Sequence, residues 1–591
     1  MMPTVKNRRR AGRAAGAALV YALCALAGAG PLRAETKPNQ DQVPSFGYAT
    51  SLSGNYLAGR LAGSLKDIES AASYFREALS SDPGNQVLIE RAFPLLLADG
   101  RIREALPLAT RIVNRDKGNQ LARMTLGVDA LKRGQFDRAR SQFSQMATRP
   151  LTDLTAAILT GWTFTAQGDV DQALKTVDRL SGPEWYGVFK NFHSGLMAEL
   201  GNRKAESVKR LAAAYKADPN ALRVTDAQAR SLVRQGKMIE AAGVLDSFEK
   251  VIPDHPLVAE LREEITAGRQ PGLLISNAQS GAAELLYGLG AAIGQEGGEE
   301  MAAVYLQLAL YLEPKTELPL VTLASLQGRL KQYDKAIEIL ERVTPASRIR
   351  PMVDIQIGRY YNLLSKFDEA RKHLEASLAR NPKDVDATMA LGDVLRGNKK
   401  FAEAAEVYSK AIELIGPPQK SDWSLFYFRG ICYERTKQWP KAEADFNKAL
   451  ELNPNEANVL NYLGYSWIDM GLNLDKGLDL VRQAVELKPD DGYIVDSLGW
   501  AYYRLGRYED AVRELERAVL LRPEDPVIND HLGDAYWQVG RQLEATFQWR
   551  HSVDLKPEPE DLARVQKKLR EGLREQPAPA SAQNEGASKS Q

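Results

Sequence analysis

A small residue returns at an almost constant interval through the C-terminal half of this 591-residue chain. Gly358, Gly392, Gly430, Gly464, Gly499 and Gly533 form one register, with steps of 34, 38, 34, 35 and 34 residues. A second register holds Ala336, Ala370, Ala404, Ala442, Gly477, Ala511 and Ala545, and a third holds Pro382, Pro454, Pro489, Pro523 and Pro557. The N-terminal half keeps the beat with weaker letters: Ala71, Ala105, Ala139 and Ala173 are each 34 apart, and Gly59, Gly127 and Gly161 hold the glycine place. A period of this size fits two helices and their turns. Such a unit cannot bury its apolar faces alone, so neighbours must stack into one continuous core.

The residue types at each register have physical reasons. A small residue on the first helix of a unit lets the second helix approach closely, and alanine does the same from the second helix. Phe75 and Phe143 take the large place on the second helix, and Leu463, Leu498 and Leu532 fill space beside the glycines. Proline after the second helix cannot continue it and sets the turn to the next unit. In the run 499–511, Gly506 ends the first helix and Tyr508 helps start the second. The expected fold is all-α, a right-handed α-solenoid of about thirteen helix pairs over residues 54–557. The rhythm breaks once, near 246–280, where a helix-like run ends in Gly268-Arg269-Gln270-Pro271-Gly272 and an apolar, glycine-rich stretch follows. This is either a seam between two subarrays or a degenerate repeat with looped-out residues.

Composition removes several chemistries. Lys plus Arg is 77 against 76 for Asp plus Glu, so there is no basic excess of the kind that binds nucleic acid. Five histidines and two cysteines, scattered, cannot build a zinc cluster. There is no GxxxxGK[ST] phosphate loop and no HExxH helix. Gly288-Leu289-Gly290 sits in repeat register with no strand before it, Glu299 and Glu300 are charges at a helix start, and Cys432 sits at a packing position. The chain is therefore expected to be no enzyme and to need no cofactor or metal.

What a stack of helix pairs does offer is an inner, concave face. Five places on each first helix, the second, fifth, ninth, twelfth and thirteenth, do not serve the core. In the last four units they are Ser424, Tyr427, Ile431, Glu434 and Arg435; Asn458, Asn461, Tyr465, Ile468 and Asp469; Tyr493, Asp496, Trp500, Tyr503 and Arg504; and Val527, Asp530, Asp534, Trp537 and Gln538. Aromatic side chains with arginine are the usual anchors of protein interfaces, and asparagine can pair with a peptide backbone. The candidate protein-binding residues are Tyr427, Asn458, Asn461, Tyr465, Tyr493, Asp496, Trp500, Tyr503, Arg504 and Trp537. The alternative for each is packing against a neighbouring helix. Lysine and asparagine do not recur along the groove as a clamp for a terminal carboxylate would require.

The start of the chain reads as an export signal: Lys6, Arg8, Arg9, Arg10 and Arg13, then an uncharged run over 14–30, then small residues and Pro31. Cleavage is expected after Ala29 or Ala34. Leu23 before Cys24 departs from a lipoprotein signal, and the arginine run is an incomplete twin-arginine pattern. No later run is long and apolar enough to span a bilayer. The expected organisation is signal 1–34, linker 35–53, N-terminal array 54–245, irregular seam 246–280, C-terminal array 281–557, capping helix 558–575 and disordered tail 576–591.

These repeats resemble the tetratricopeptide repeat superfamily over most of the chain. The stretches Asn461-Tyr462-Leu463-Gly464-Tyr465-Ser466, Asp491 through Trp500, and Asp530-His531-Leu532-Gly533-Asp534 are similar to a bacterial envelope family. That family includes an outer-membrane lipoprotein adaptor of a periplasmic carboxyl-terminal processing protease. The resemblance implies a periplasmic scaffold for such a protease or its substrates, with peripheral association with the outer membrane. The missing lipoprotein signal puts the anchoring in doubt. An assembly factor for secretion or surface polysaccharide export needs the same groove, a repeat-bearing glycosyltransferase is disfavoured because repeats occupy its space, and a cytoplasmic scaffold would follow if the signal is not used.

Overall fold

The computed structural model describes residues 51–146 and 149–573. The export signal, most of the linker and the tail expected from the sequence lie outside these residues. Among the described residues there are 30 α-helices and no strand, and no helix is long and apolar enough to cross a membrane. The chain divides into two compact units, up to Ser377 and from Leu378.

The N-terminal unit begins with six helix pairs: α1 (Leu52–Ser64) and α2 (Ile68–Ser81), α3 (Gln86–Ala98) and α4 (Ile102–Arg115), α5 (Gln120–Lys132) and α6 (Phe136–Phe143), α7 (Pro150–Ala166) and α8 (Val170–Asp178), α9 (Tyr186–Leu200) and α10 (Lys204–Ala217), and α11 (Leu222–Arg234) and α12 (Met238–Glu249). A single helix, α13 (Pro256–Thr266), follows. Then come α14 (Ala278–Gln295) with α15 (Glu299–Leu312), α16 (Glu317–Arg329) with α17 (Tyr333–Glu341), and α18 (Arg350–Leu363) with α19 (Phe367–Arg380), whose last turn passes the boundary at Ser377.

The C-terminal unit holds α20 (Val385–Gly397) with α21 (Phe401–Ile415), α22 (Trp423–Arg435) with α23 (Trp439–Leu452), α24 (Ala457–Asp469) with α25 (Leu474–Leu487), α26 (Gly492–Arg504) with α27 (Tyr508–Leu521), and α28 (Pro526–Gln538) with α29 (Gln542–Asp554). The single helix α30 (Pro559–Glu571) closes it. The pairs number fourteen, against about thirteen expected. In α10 the alanine place is taken by Ser207, equally small and 3 % exposed.

The registers act as expected. A Cβ built on Gly392 would stand 2.7 Å from the Tyr408 ring, and one on Gly430 2.7 Å from Phe446. The same spacing of 16 residues brings Gly59 to Phe75, Gly127 to Phe143 and Gly533 to Trp549. Each glycine is thus a socket for a large aromatic side chain of its partner helix, and those side chains are buried to 3 % or less. The turn inside each pair passes through a left-handed residue, Gly506 (φ 74°) and Gly540 (φ 80°) among them. Side-chain caps start many first helices, as where Asp525 accepts the Val527 and Ile528 N–H groups.

Candidate protein-interaction face

In the N-terminal unit the inner face is already occupied. Helices α14 and α15 pack against the first helices α3, α5, α7 and α9, the very elements expected to line an exposed trough. Tyr305 Oη and Thr155 Oγ1 meet at 3.3 Å, Tyr311 donates to Asp129 Oδ1 at 2.8 Å, and the Lys132 ammonium lies 4.0 Å over the Tyr311 ring. Gly281 sits on the Trp162 ring with no room for a Cβ. Arg223 of α11 grips Glu284 of α14 through two hydrogen bonds of 2.9 and 2.7 Å. The circuit closes where Lys66 meets Glu299 at 3.4 Å, Lys335 meets Glu69 at 2.9 Å, and Gln332 donates to the Lys66 carbonyl at 2.8 Å.

The sequence reading gave the stack an inner, concave face free to bind; in the N-terminal unit that face is filled by the chain itself, and the reason lies in composition. From Leu273 to Gly294 the only charge is Glu284, and from Met301 to Leu312 there is none. A helix apolar on every side must be buried on every side, and the inner face of the preceding array is where these two go.

The C-terminal unit keeps its inner face, and the ten candidate residues divide there. Tyr427 belongs to an aromatic packing cluster, with ring centroids 5.3 Å from Phe428, 6.0 Å from Tyr462 and 6.2 Å from Phe446; burial pushes its phenol up to about 12. Asn458 is spent at its helix start, donating to Glu456 Oε1 at 2.8 Å and accepting from Lys488 at 3.3 Å. Tyr493 is 52 % exposed beneath the Arg522 guanidinium. Arg504 pairs with Asp469 across the face at 2.9 Å. Burial, with the Asp469 and Asp496 carboxylates, raises the half-buried Tyr465.

The remaining residues lie on α24, α26 and α28. Trp500 stacks between Tyr503 (4.8 Å, 12°) and His531 (4.1 Å, 20°), and His531 Nδ1 meets Asp496 Oδ1 at 2.9 Å. Burial alone would lower His531, but Asp496, with Asp530 and Asp534, outweighs it and holds the imidazole above its ordinary value. The indole N–H of Trp500 and the Asn461 Oδ1 are buried with no hydrogen-bond partner. Trp537 stands 5.3 Å from Trp549 and lies under Gly572.

The sequence reading gave residues 558–575 only as a capping helix. In fact Lys568 of α30 is 9 % exposed and reaches Asp530 (2.8 and 2.9 Å) and Asp534 (2.7 Å), while Arg564 reaches Asp530 at 3.2 Å. Trp549 Nε1 donates to the other Asp534 oxygen at 2.9 Å. Burial pushes Asp534 up to about 6 despite the ammonium. The spacing of Arg564 and Lys568, one helical turn apart, was a signal available in the sequence.

Among the described residues no group of three or more His, Cys, Asp or Glu is placed to hold a metal ion. Burial pushes the Cys432 thiol up to about 12, so it is a packing group rather than a nucleophile. His193 Nδ1 accepts from Trp162 Nε1 at 3.3 Å, and His255 caps α13.

Stacked helix pairs with glycine sockets define a helical-repeat chain. Tetratricopeptide repeat models match residues 52–85, 124–182, 357–418 and 423–456, and a TPR repeat model matches 499–540. Matches in both units, on helix pairs of this construction, mark the matched pairs as tetratricopeptide repeats. It is similar to the BBSome complex member BBS4 of Bos taurus, 32 % identical over 116 residues, which are 20 % of this chain and 21 % of that protein. It is also similar to the Hsp70-Hsp90 organizing protein 1 of Glycine max, 25 % identical over 190 residues, 32 % of this chain and 30 % of that protein. The chain thus spans a fifth to a third of these relatives. Among solved structures, the Cut9 and Hcn1 hetero-tetramer of the APC/C aligns over 88 % of this chain and 96 % of its own at 14 % identity, with a TM-score of 0.37.

Proposed function

We propose that this chain is a non-catalytic scaffold that holds a protein partner on the inner face of its C-terminal unit. One observation carries this. The N-terminal inner face is filled by α14 and α15, whereas the C-terminal face presents Trp500, Tyr503, Tyr465 and Asn461, two of them with a buried polar atom that has no partner. A donor and an acceptor of that kind suit a polypeptide backbone, and stacked aromatic rings supply rigid contact area. The relatives support the reading through their names alone, one an organizer of two chaperones and one a member of a complex.

The setting we propose is the bacterial envelope, on the strength of the basic, apolar and small-residue order of residues 6–34. The partner class is a periplasmic processing protease or the substrates it is brought. A photo-crosslinking residue at Tyr503, used in intact cells, tests the face directly. A protein partner should be captured, and Trp500→Ala with Tyr493→Ala should reduce capture at least tenfold. Capture that ignores both substitutions removes the inner face from the account. N-terminal sequencing of the mature chain should begin near residue 30 or 35; a start at Met1 would put the scaffold elsewhere.

A further inference from the structure

A first helix in these arrays is covered from the side of the unit before it, and its sixth and tenth places face that side. Phe428, at the sixth place of α22, sets its ring 6.2 Å from that of Tyr408 on the preceding second helix. The tenth place is buried or half-buried in every first helix after α1. Met197, Val394, Cys432 and Ala535 hold it and are each 2 % exposed or less. The terminal helix α30 obeys the same rule. It buries Val565 and packs Leu569 at these two places, and it turns Gln566, Lys567 and Arg570 outward. The C-terminal end of the array is thereby closed with polar groups.

The first unit has no such cover among the described residues. Leu57, Leu61 and Leu65 stand at its sixth, tenth and fourteenth places, one turn apart on one face, and are 63, 62 and 70 % exposed. A solenoid end that shows leucines in place of polar groups needs a cap. A second copy of the chain is a poor occupant. Three leucines two-thirds bare offer roughly 300–400 Å², against about 800 Å² per partner in a stable interface. A tethered segment needs far less area, because its tether holds it at millimolar local concentration. The chain ahead of α1 supplies one. Residues 35–50, most of the expected linker, lie outside the described residues and run directly into Ser51, whose backbone is extended at ψ 156°. Their bulky apolar side chains are Val43, Phe46 and Tyr48, within a run over 42–53 that carries no charge.

The two sets of spacings agree when the segment doubles back. Leu57, Leu61 and Leu65 lie 6, 10 and 14 residues beyond Ser51, about 9, 15 and 21 Å along a helix. Tyr48, Phe46 and Val43 lie 3, 5 and 8 residues before it, a reach of about 10, 17 and 26 Å when extended. Phe46 and Tyr48, two apart, share one side of an extended chain, and Pro44 and Gly47 disfavour a helix there. We propose that residues 43–48 are an apolar strap that folds back along α1, Tyr48 against Leu57, Phe46 against Leu61 and Val43 toward Leu65. The strap takes the place of a preceding second helix and closes the N-terminal end of the array as α30 closes the C-terminal end. Cleavage after Ala29 or Ala34 leaves it on the mature chain.

Paired cysteines in the full chain, in a Cys24→Ser background, test this. Phe46→Cys with Leu61→Cys should form an intrachain disulfide at least tenfold faster than Phe46→Cys with Arg60→Cys. The two pairs differ by one residue of tether, and Arg60 is exposed on another side of α1, so chance encounter alone would give equal rates. Cys432 is buried and does not compete. Phe46→Ser with Tyr48→Ser changes no residue of the repeats, so the fold is kept. It should speed hydrogen exchange of the α1 amides at least fivefold and leave α26 as it was. A photo-crosslinking residue at Leu57 should capture residues 43–48 of the same chain. Equal disulfide rates, α1 exchange that ignores the Ser pair, or capture at Leu57 of a second copy or another protein would each overturn the proposal.

Discussion

At the scale of the residue, the repeat is a set of sockets and knobs, and most were legible. The glycine and its large partner sixteen positions on could be paired from spacing alone, because one helix pair has one closest approach. The exception is informative. In α24 and α25 both contact places are glycine, and a Cβ on Gly477 would stand 2.9 Å from the Gly464 carbonyl oxygen, while one on Gly464 would stand 2.7 Å from the Gly477 carbonyl oxygen. Here backbone meets backbone, which no rotamer change can relieve. Gly477→Ala restores the alanine that the other units of that register carry, Ser207 excepted, yet it should destabilise the C-terminal unit by about 1–3 kcal/mol, read as a lower urea midpoint at unchanged slope. Ser207→Ala, which also restores the register, removes a buried hydroxyl oxygen without a partner and should be neutral or stabilising in the same assay. What spacing could not give was the neighbourhood of each inner place. Tyr427 and Trp500 hold inner places of their units, the fifth and the ninth. One is consumed by Phe428, Phe446 and Tyr462, and the other stacks on a histidine from the next unit.

At the scale of the element, α14 shows where periodicity stops informing. Its sequence marks a helix and marks it as buried all round, but nothing in a 34-residue beat says that a later helix will lie inside an earlier array. That outcome depends on the curvature accumulated over six pairs. Gly281 is the contact that permits it. Gly281→Val should push α14 away from the Trp162 ring and cost about 1–3 kcal/mol. Limited proteolysis should then cut the non-helical stretch 267–277 faster than in the unaltered chain, with the C-terminal unit unaffected. Unchanged cleavage would mean that α14 is held by the Arg223 and Glu284 pair and not by close packing. The terminal helix α30 was legible as a helix and as a cap, and the use of its two cations against Asp530 and Asp534 follows the beat, since Arg564 and Lys568 each stand 34 residues on from the carboxylate they meet.

At the scale of the whole molecule, the two units should respond to acid in opposite directions. Burial lowers His193 to about 3, and its Nδ1 accepts a hydrogen bond that protonation would break. Its folded value lies below the unfolded value near 6.5, so the stability it contributes is present above pH 6.5 and lost as pH falls, about 1.4 kcal/mol by pH 5.5. His255, lowered by burial, has the same sign. In the C-terminal unit, His531 is held above its ordinary value, and burial pushes Asp534 up to about 6. Both hold protons that the unfolded chain gives up, so their contribution is present at pH 5.5 and is lost as pH rises through their folded values. Hydrogen exchange corrected for intrinsic rate should show α9 less protected at pH 5.5 than at pH 7 and α28 more protected. His193→Gln should flatten the first trend and leave the second.

The contacts of Lys66 with Glu299 and of Glu69 with Lys335 join positions more than 230 residues apart. Ordinary tandem arrays nucleate anywhere, grow by neighbours, and tolerate gain or loss of a module. A ring locked from within does not. Its last step must await synthesis of α17, which predicts slow, all-or-none maturation, and duplicating or deleting any one module before α13 would leave the latch out of phase. Such a protein should show little length polymorphism in its first half, and should drift by whole modules, if at all, in its second.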